Sequence, residues 1–402
     1  MLLGILNTMD TIKPNNDMIK VVISSNTAWS LFNFRAGLIR ALVSKGYEVV
    51  VVAPYDEYAQ KLSSLGCRYI PIHMDNKGAN PVRDLLLLLR FLMLLRSESP
   101  AVYLSYTVKP NIYGSIAAHF LSIPVVNNIA GLGVVFIKDS ILTKIVKMLY
   151  RLSLSRSFKV FFQNNEDREL FIRDSLVDAN KTDRLPGSGV DLRHYNAEAQ
   201  LYSPLPTVKT DNPLRFLLAA RMLWDKGVGN YVDAARLVKK RYPDVEFYLL
   251  GFLDVINPAA ISKEQMSKWV SEGVVNYLGV TDDMKSFLAN ADCVVLPSFY
   301  REGVPRVLLE AAAMGRPIIT TDAVGCRDVV DDGVNGFLVI PRDVHDLAEK
   351  MVRMVELPLE ARLLMGSKSR AKMELEFDEN IVIDQYQVVI NRVIIETNLD
   401  LT

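Results

Sequence analysis

Cys293-Val-Val-Leu296-Pro-Ser298, then Glu302-Gly-Val-Pro-Arg-Val-Leu-Leu-Glu310-Ala-Ala-Ala-Met-Gly315, then Pro317-Ile-Ile-Thr320, is the stretch that decides the fold. A short apolar, β-branched run gives way to a polar loop. A helix-length amphipathic segment, Pro305–Met314, follows, and then a second apolar run. That succession reads as strand, helix, strand, the unit from which parallel sheets are built.

The same alternation runs outward in both directions. Around this unit the expected strands are Leu214–Ala219, Val245–Leu250, Val275–Leu278 and Gly336–Val339, with helices at Gly229–Arg241, Lys263–Ser271 and Asp282–Ala289. An earlier series offers strands at Lys20–Ile23, Glu48–Ala53, Arg68–Ile72, Ala101–Ser105, Val125–Asn128 and Lys159–Phe162. Amphipathic stretches at Phe34–Ser44, Val82–Leu95 and Ile112–Leu121 lie between them. Asn196–Asn212, with Pro204 and Pro206 among polar residues, breaks the rhythm as a linker. The expected architecture is therefore α/β, with two Rossmann-like domains facing across a cleft. Ligands of such sheets sit at the carboxyl ends of the strands. The expected divisions are a loose extension at 1–17, a first domain at 18–205, a second at 206–378, and a closing helix at 379–402.

Composition bounds the function. The chain has 402 residues, half of them hydrophobic, and 46 Lys and Arg balance 46 Asp and Glu. Such a chain is long enough for two cores and carries no global basic field suited to nucleic acid. Cys67, Cys293 and Cys326 lie far apart and fit neither a disulfide framework nor metal-ligand spacing, so a reduced, cytoplasmic setting is expected. The apolar start lacks the basic residues and small-residue cleavage site of a signal peptide. The longest apolar run, Leu85–Leu95, is interrupted by Arg90 and is too short to span a bilayer. A dehydrogenase is disfavoured, because Ser24–Asn33 contains no glycine where G-x-G-x-x-G would begin.

Two constellations carry chemistry. In the quoted stretch, Gly303 permits close backbone approach to a ligand and Pro305 suits a helix start. The N–H groups of that start suit an anion such as a diphosphate, and Glu310 suits a ribose diol. After the strand Leu214–Ala219 comes Arg221-Met-Leu-Trp-Asp-Lys226, whose two cations suit a diphosphate that gains charge as it departs. Adjacent acids at Asp282-Asp283 and Asp331-Asp332 read as a helix start and a turn, so no metal is expected.

Taken together, Arg221 and Lys226, Gly251 ending a strand, Tyr277-Leu-Gly279, Leu296-Pro-Ser298, Glu302 and Glu310 resemble family 4 of the retaining glycosyltransferases. The first half adds Asn33-Phe-Arg35, Tyr106-Thr-Val-Lys-Pro-Asn-Ile-Tyr-Gly114, Asn128 to Gly133, and Gly187–Asp191. Within the family the chain is most similar to bacterial enzymes that add an N-acetylhexosamine to polyprenyl-diphosphate-linked sugars for surface glycans or glycoprotein glycans. The resemblance implies the glycosyltransferase B fold, its last helix closing back on the first domain, and a UDP-sugar donor used without cofactor or metal. It also implies a lipid-linked glycan acceptor, an anionic membrane surface on the inner face of the cell membrane, and no nucleic acid. Arg221 and Lys226 match the diphosphate-binding pair, Glu302 the residue facing the transferred sugar, and Glu310 the ribose ligand. Gly303, Val304, Pro305 and Arg306 would approach sugar and phosphate, with Ser298 and Gly251 also on the donor side. Asn26, Thr27, Lys109, Asn111 and Gly133 would line the acceptor or sugar side. The first domain departs from the commoner pattern: Ser25-Asn-Thr-Ala-Trp29 stands in place of a Gly-Gly loop, and no His follows the fourth strand. His73, His119, His194 and His345 read as structural or surface residues. A nucleotide-sugar epimerase of the same fold and a non-catalytic subunit are the alternatives. The segment Lys138–Lys159, with Lys144, Lys147, Arg151 and Arg156 among apolar residues, reads as a helix that lies on an anionic membrane.

Overall fold

The structure, a computed structural model, describes residues 18–75, 80–132, 141–196, 213–253, 255 and 257–399. The extension 1–17, the proline-bearing segment 197–212, Gly133 and Lys138 lie outside the described residues.

Two all-parallel sheets form the framework. The first contains β1 (Lys20–Ser24), β2 (Glu48–Ala53), β3 (Arg68–Pro71), β4 (Val102–Tyr106), β5 (Val125–Ile129), β6 (Lys159–Phe162) and β7 (Thr182–Arg184), in the spatial order β3-β2-β1-β4-β5-β6-β7. The second contains β8 (Arg215–Ala219), β9 (Glu246–Leu250), β10 (Asn276–Tyr277), β11 (Cys293–Leu296), β12 (Ile318–Thr321) and β13 (Gly336–Val339), in the order β10-β9-β8-β11-β12-β13. In both, the order reverses beside the first strand of the series, which opens the crevice a ligand uses.

Period-two alternation explains how one strand serves two cores. Val21 and Ile23 of β1, with Val49 and Val51 of β2, face the helix Ala28–Ser44. Val22, Val50 and Val52 point the other way, onto Leu87, Phe91 and Leu95 of the helix Pro81–Glu98. The last helix, Glu379–Leu399, returns to the first sheet. It lays Val382, Tyr386, Val389, Ile390 and Val393, spaced at helical intervals, into the core of the Ala28–Ser44 face. The chain crosses back at Phe377–Glu379, where the Val190 N–H donates to the Phe377 carbonyl (2.8 Å) and the Glu379 N–H to the Val190 carbonyl (3.1 Å).

Several boundaries differ from the sequence reading. The helix expected at Phe34–Ser44 begins at Ala28, because the Thr27 hydroxyl accepts from the Ser30 N–H (3.1 Å) and caps it. The helix expected at Ile112–Leu121 is a π turn, Pro110–Gly114, running into Ser115–Phe120. Strand β7 was not expected, and the helices Val344–Glu356 and Leu359–Lys372 fill a stretch that the alternation left unassigned.

Candidate active site

The residues expected on the donor side come from two loops of the second domain that the fold presses together. After β8 the chain makes a short 3₁₀ turn, Trp224–Lys226, and enters the helix Val228–Lys239 through Gly227 at φ +76°. A Cβ on Gly227 would sit 2.0 Å from the Pro297 carbonyl oxygen, so only glycine lets this loop reach the one that follows β11. The Asp225 carbonyl then accepts from the N–H groups of Phe299 and Tyr300 (both 3.1 Å).

This contact brings Lys226 and Glu302 together. The Lys226 Nζ forms an ion pair with Glu302 Oε1, and the fully buried Ser298 donates from its hydroxyl to the same oxygen (3.0 Å). The side chains of Lys226 and Glu302 are 13% and 12% exposed, so the pair is neither a surface contact nor sealed in the core. Lys226 also lies 5.4 Å from the centre of the Tyr300 ring. Burial, the largest influence, pushes the Tyr300 phenol up; the nearby Arg221 charge pulls it down. Arg221 itself is exposed, with no ion-pair partner among the described residues.

A second pair lies on the helix Arg306–Ala313, for which Pro305 is the N-terminal flanking residue. Arg306 Nε contacts Glu310 Oε1 at 2.9 Å, one turn apart, and Arg306 Nη1 donates to the Ser188 hydroxyl at 3.1 Å. Tyr195 lies against Glu310; burial first, and this carboxylate second, push its phenol well up. Glu302 precedes the helix that carries Glu310, so the two acids do not share a helical face. They have separate partners. Gly251, at φ +139°, ends β9 where a Cβ would sit 1.9 Å from the Ala220 carbonyl oxygen.

On the first domain three of the expected residues are engaged within the protein. Thr27 caps a helix. Asn111 is 1% exposed and is held in a network under the cleft: its Oδ1 accepts from Ser105 Oγ (2.7 Å) and its Nδ2 donates to the Asn128 carbonyl (2.9 Å). Lys109 is ion-paired with Asp84 (2.7 Å) and lines a cavity of about 370 Å³ with His73, Arg83 and Arg90. Asn26 donates its N–H to the Thr107 hydroxyl (3.1 Å), which ties the loop after β1 to that after β4. His119 contacts the Ser153 carbonyl oxygen, in keeping with a structural part.

Residues that sequence reasoning missed sit directly after β6. Gln163, Asn164 and Asp167 all touch the loop that carries Glu302. Val304 N–H donates to Gln163 Oε1 (3.2 Å), Asn164 Nδ2 to the Glu302 carbonyl (3.3 Å), and Arg301 Nε contacts Asp167 Oδ1 at 2.6 Å. The available signal was Gln163-Asn-Asn-Glu-Asp167, a polar run directly after the apolar Val160-Phe-Phe162 of β6. Among the described residues no group of three His, Cys, Asp or Glu side chains is arranged to hold a metal ion.

Comparison with known proteins gives this geometry its family. Residues 213–356 match the family model of glycosyl transferases group 1, and residues 20–164 that of glycosyl transferase 4-like proteins. The chain belongs to the glycosyltransferases. The N,N'-diacetylbacillosaminyl-diphospho-undecaprenol alpha-1,3-N-acetylgalactosaminyltransferase of Campylobacter jejuni is 29% identical over 388 residues, spanning 94% of this chain and 99% of its own length. The UDP-Gal:alpha-D-GlcNAc-diphosphoundecaprenol alpha-1,3-galactosyltransferase of Escherichia coli is 26% identical over 285 residues, 68% of this chain and 71% of its own. A glycosyltransferase from Rickettsia africae superposes with a TM-score of 0.77 at 16% identity, over 94% of this chain and 99% of that one. Anabaena HepE in complex with UDP superposes at 0.71 and 19%, over 95% and 100%. These solved structures share the two-domain fold of this glycosyltransferase.

Proposed function

We propose that this glycosyltransferase moves a hexose, an N-acetylhexosamine in the first instance, from a UDP-sugar to a polyprenyl-diphosphate-linked glycan, with retention of the donor's anomeric configuration. The observation that carries the reading is the convergence of Lys226, Ser298 and Glu302 on one point of the cleft, with Arg221 exposed beside them and the Arg306–Glu310 pair one helix turn beyond. The lipid-linked acceptor rests on the two relatives whose names specify undecaprenyl-diphosphate sugars. In this proposal the second domain (206–378) holds the donor and the first (18–205) receives the acceptor.

The chemistry follows from where charge develops. As the bond from the sugar to the diphosphate breaks, negative charge grows on the leaving oxygen, and Arg221 and Lys226 supply positive charge there. Glu302, relieved of Lys226 by the diphosphate, orients the sugar hydroxyls, and Glu310 binds the ribose. Inversion would require a base to deprotonate the acceptor from the opposite face. The loops at Ser24–Arg35 and Tyr106–Asn111 contain no His, Asp or Glu, although folding brings two carboxylates beside them. Asp56 accepts from the N–H groups of Trp29 (3.0 Å) and Tyr58 (2.9 Å), and Asp84 is paired with Lys109. Both carboxylates are thus already engaged by partners within the protein. The departing phosphate oxygen is then the acceptor of the proton, on the same face as the incoming hydroxyl.

Membrane contact is part of the proposal. The helix Ile141–Leu154 exposes Ile141, Leu142, Ile145, Met148 and Leu152 along one stripe, and Pro81–Glu98 exposes Val82, Leu85, Leu86, Leu89 and Met93 along another. The basic face is smaller than the sequence suggested. Lys147 pairs with Asp174 (2.8 Å), and the exposed Arg151 donates to the Asp174 and Ser175 carbonyls (both 3.0 Å), so that among the described residues of this segment Lys144 and Arg156 are the exposed cations without such a partner. No described helix is long and apolar enough to cross a membrane.

The test is a panel of radiolabelled UDP- and GDP-sugars incubated with the enzyme and a membrane extract, scoring label in the lipid fraction, then NMR of the released disaccharide. Label from an α-linked UDP-sugar in an α-linked product supports the reading; a β linkage overturns the mechanism, and free epimerised sugar with no labelled lipid overturns the function.

A further inference from the structure

Glu302 is held from both domains at once. Its carboxylate is bound by Lys226 and Ser298 of the second domain, while its backbone carbonyl accepts from Asn164 of the first. The residues on either side are held from the first domain too. Arg301 reaches Asp167, which is 0% exposed, and the Val304 N–H reaches Gln163. At Gly131 and Gly303 the two backbones themselves come close. A Cβ on Gly303 would lie 2.2 Å from Gln163 Oε1 and 2.7 Å from the Ala130 carbonyl oxygen, and one on Gly131 would lie 2.5 Å from the Gly303 nitrogen.

Behind these contacts the gripping side chains are themselves fixed. Asn164 Nδ2 donates to Asp167 Oδ2 (3.1 Å), and Asn164 Oδ1 accepts from the Asp167 N–H (2.7 Å) at the start of the helix Asn165–Arg173. Gln163 Nε2 donates to Asn128 Oδ1 (3.4 Å), and Asn128 Nδ2 to the Tyr386 hydroxyl (3.1 Å) on the closing helix. A buried polar chain thus runs from the last helix of the protein, through the first sheet, to the loop that carries Glu302. Groups so buried keep one geometry because every alternative leaves a polar atom unsatisfied.

We propose that Gln163, Asn164 and Asp167 are positioning residues for transfer: through these three side chains the first domain orients Glu302 toward the donor sugar. UDP alone meets Lys226, Arg306 and Glu310 of the second domain and does not need this grip. The sugar-transfer step does, because a misplacement of about 1 Å at a reacting group costs on the order of a hundredfold in rate. Burial pushes the Asp167 carboxyl up while Arg301 pulls it down, so removal of either partner leaves a buried group uncompensated.

The inference rests on Glu302 facing the transferred sugar, and the experiment separates the two. UDP release from UDP-sugar is measured with and without acceptor, UDP binding by calorimetry, and folding by thermal melting. The variants are Asp167→Asn, Arg301→Gln, the double variant, and Gln163→Met. For each single variant the expected result is a fall in kcat of between about tenfold and a hundredfold, with UDP affinity within about twofold of wild type. The double variant, in which a neutral amide pair replaces the ion pair, recovers kcat relative to its parents. Gln163→Met keeps the proposal testable should Asp167→Asn fail to fold. Unchanged kcat in Gln163→Met and Asp167→Asn overturns the grip while leaving the functional reading intact. Equal losses of kcat, UDP affinity and melting temperature with no recovery in the double variant also overturn it, as a purely structural contact. A wild type that turns over no UDP-sugar overturns the functional reading itself.

Discussion

Replacing Lys226 by alanine tests the centre of the proposed mechanism, and the structure sets what to expect. In the resting site Lys226 compensates Glu302, and both side chains are nearly nine-tenths buried. Removing one partner of such a pair costs about 3–5 kcal/mol when the other is left uncompensated in a dry site. Here the cost falls below that range, since Ser298 still donates to Glu302 and the cleft admits some water. The catalytic cost has a separate origin. One positioned charge acting on a developing anion is worth roughly 3–4 kcal/mol, or about a hundredfold or more in rate. Because that charge matters most as the diphosphate departs, the loss falls on kcat as well as on kcat/KM. Steady-state rates with saturating donor, together with urea unfolding of the same samples, separate the two effects. Lys226→Ala/Glu302→Gln, which removes both charges, regains stability without regaining rate. A Lys226→Ala variant with full kcat and only a raised KM would refute the assignment of Lys226 to the leaving group.

Three further outcomes follow from named contacts. Transfer persists in EDTA, because Arg221, Lys226 and Arg306 supply the positive charge around the diphosphate; abolition by EDTA with restoration by Mg²⁺ or Mn²⁺ contradicts this. Vesicles containing anionic lipid bind the enzyme, less strongly as salt rises. Lys144→Glu/Arg156→Glu and Ile145→Ser/Met148→Ser each weaken sedimentation with vesicles while leaving UDP binding intact, and salt-insensitive sedimentation counts against the proposal. Glu98, hydrogen-bonded by Arg68 and Lys20, is held below its ordinary 4.5, so its contribution to stability is present above that value and is lost as pH falls through the depressed one. The melting temperature therefore drops as pH is lowered below about 4.5, with a shallower drop in Glu98→Gln; parallel curves for the two proteins would remove Glu98 from that role.

The strand series was legible because parallel strands buried on both faces must be nearly continuous runs of apolar residues, as in Glu48–Ala53 and Cys293–Leu296. The closing helix was legible for the complementary reason: Val382, Tyr386, Val389 and Ile390 recur at helical spacing. Strand β7 was not, since Thr-Asp-Arg at a sheet edge carries neither signal. The helix starting at Ala28 was also hidden. Its first turn reads Ala-Trp-Ser-Leu after polar Ser25-Asn-Thr27, and only the cap geometry shows where it begins. At Ala28 the deciding interaction is a local hydrogen bond, and at β7 it is pairing with the earlier strand β6, rather than hydrophobic patterning.

At the site the limit is of a different kind. Glu302, Glu310, Arg221 and Lys226 could be chosen by residue type and spacing, yet which of them touch depends on how closely two loops approach. That is fixed by Gly227 against Pro297, a contact between positions 70 residues apart in the chain. Polar residue type alone cannot separate a ligand contact from an internal strut. Asn111 was read as facing the acceptor, but it is spent on Ser105 and the Asn128 carbonyl, whereas Gln163, Asn164 and Asp167 were passed over. The distinction lies in what stands opposite each side chain. Opposite Asn111 is the interior of its own sheet; opposite Gln163 is the backbone of the other domain. A single sequence specifies the second relation only through both loops at once: Gly131 and Gly303, each with no Cβ, leave the gap that lets the amide of one domain reach the N–H of the other. Read separately, neither glycine points to the other. Together they mark the seam across which Glu302 is held, which is why substitutions at that seam, rather than at Asn111, are the ones expected to change the rate of transfer.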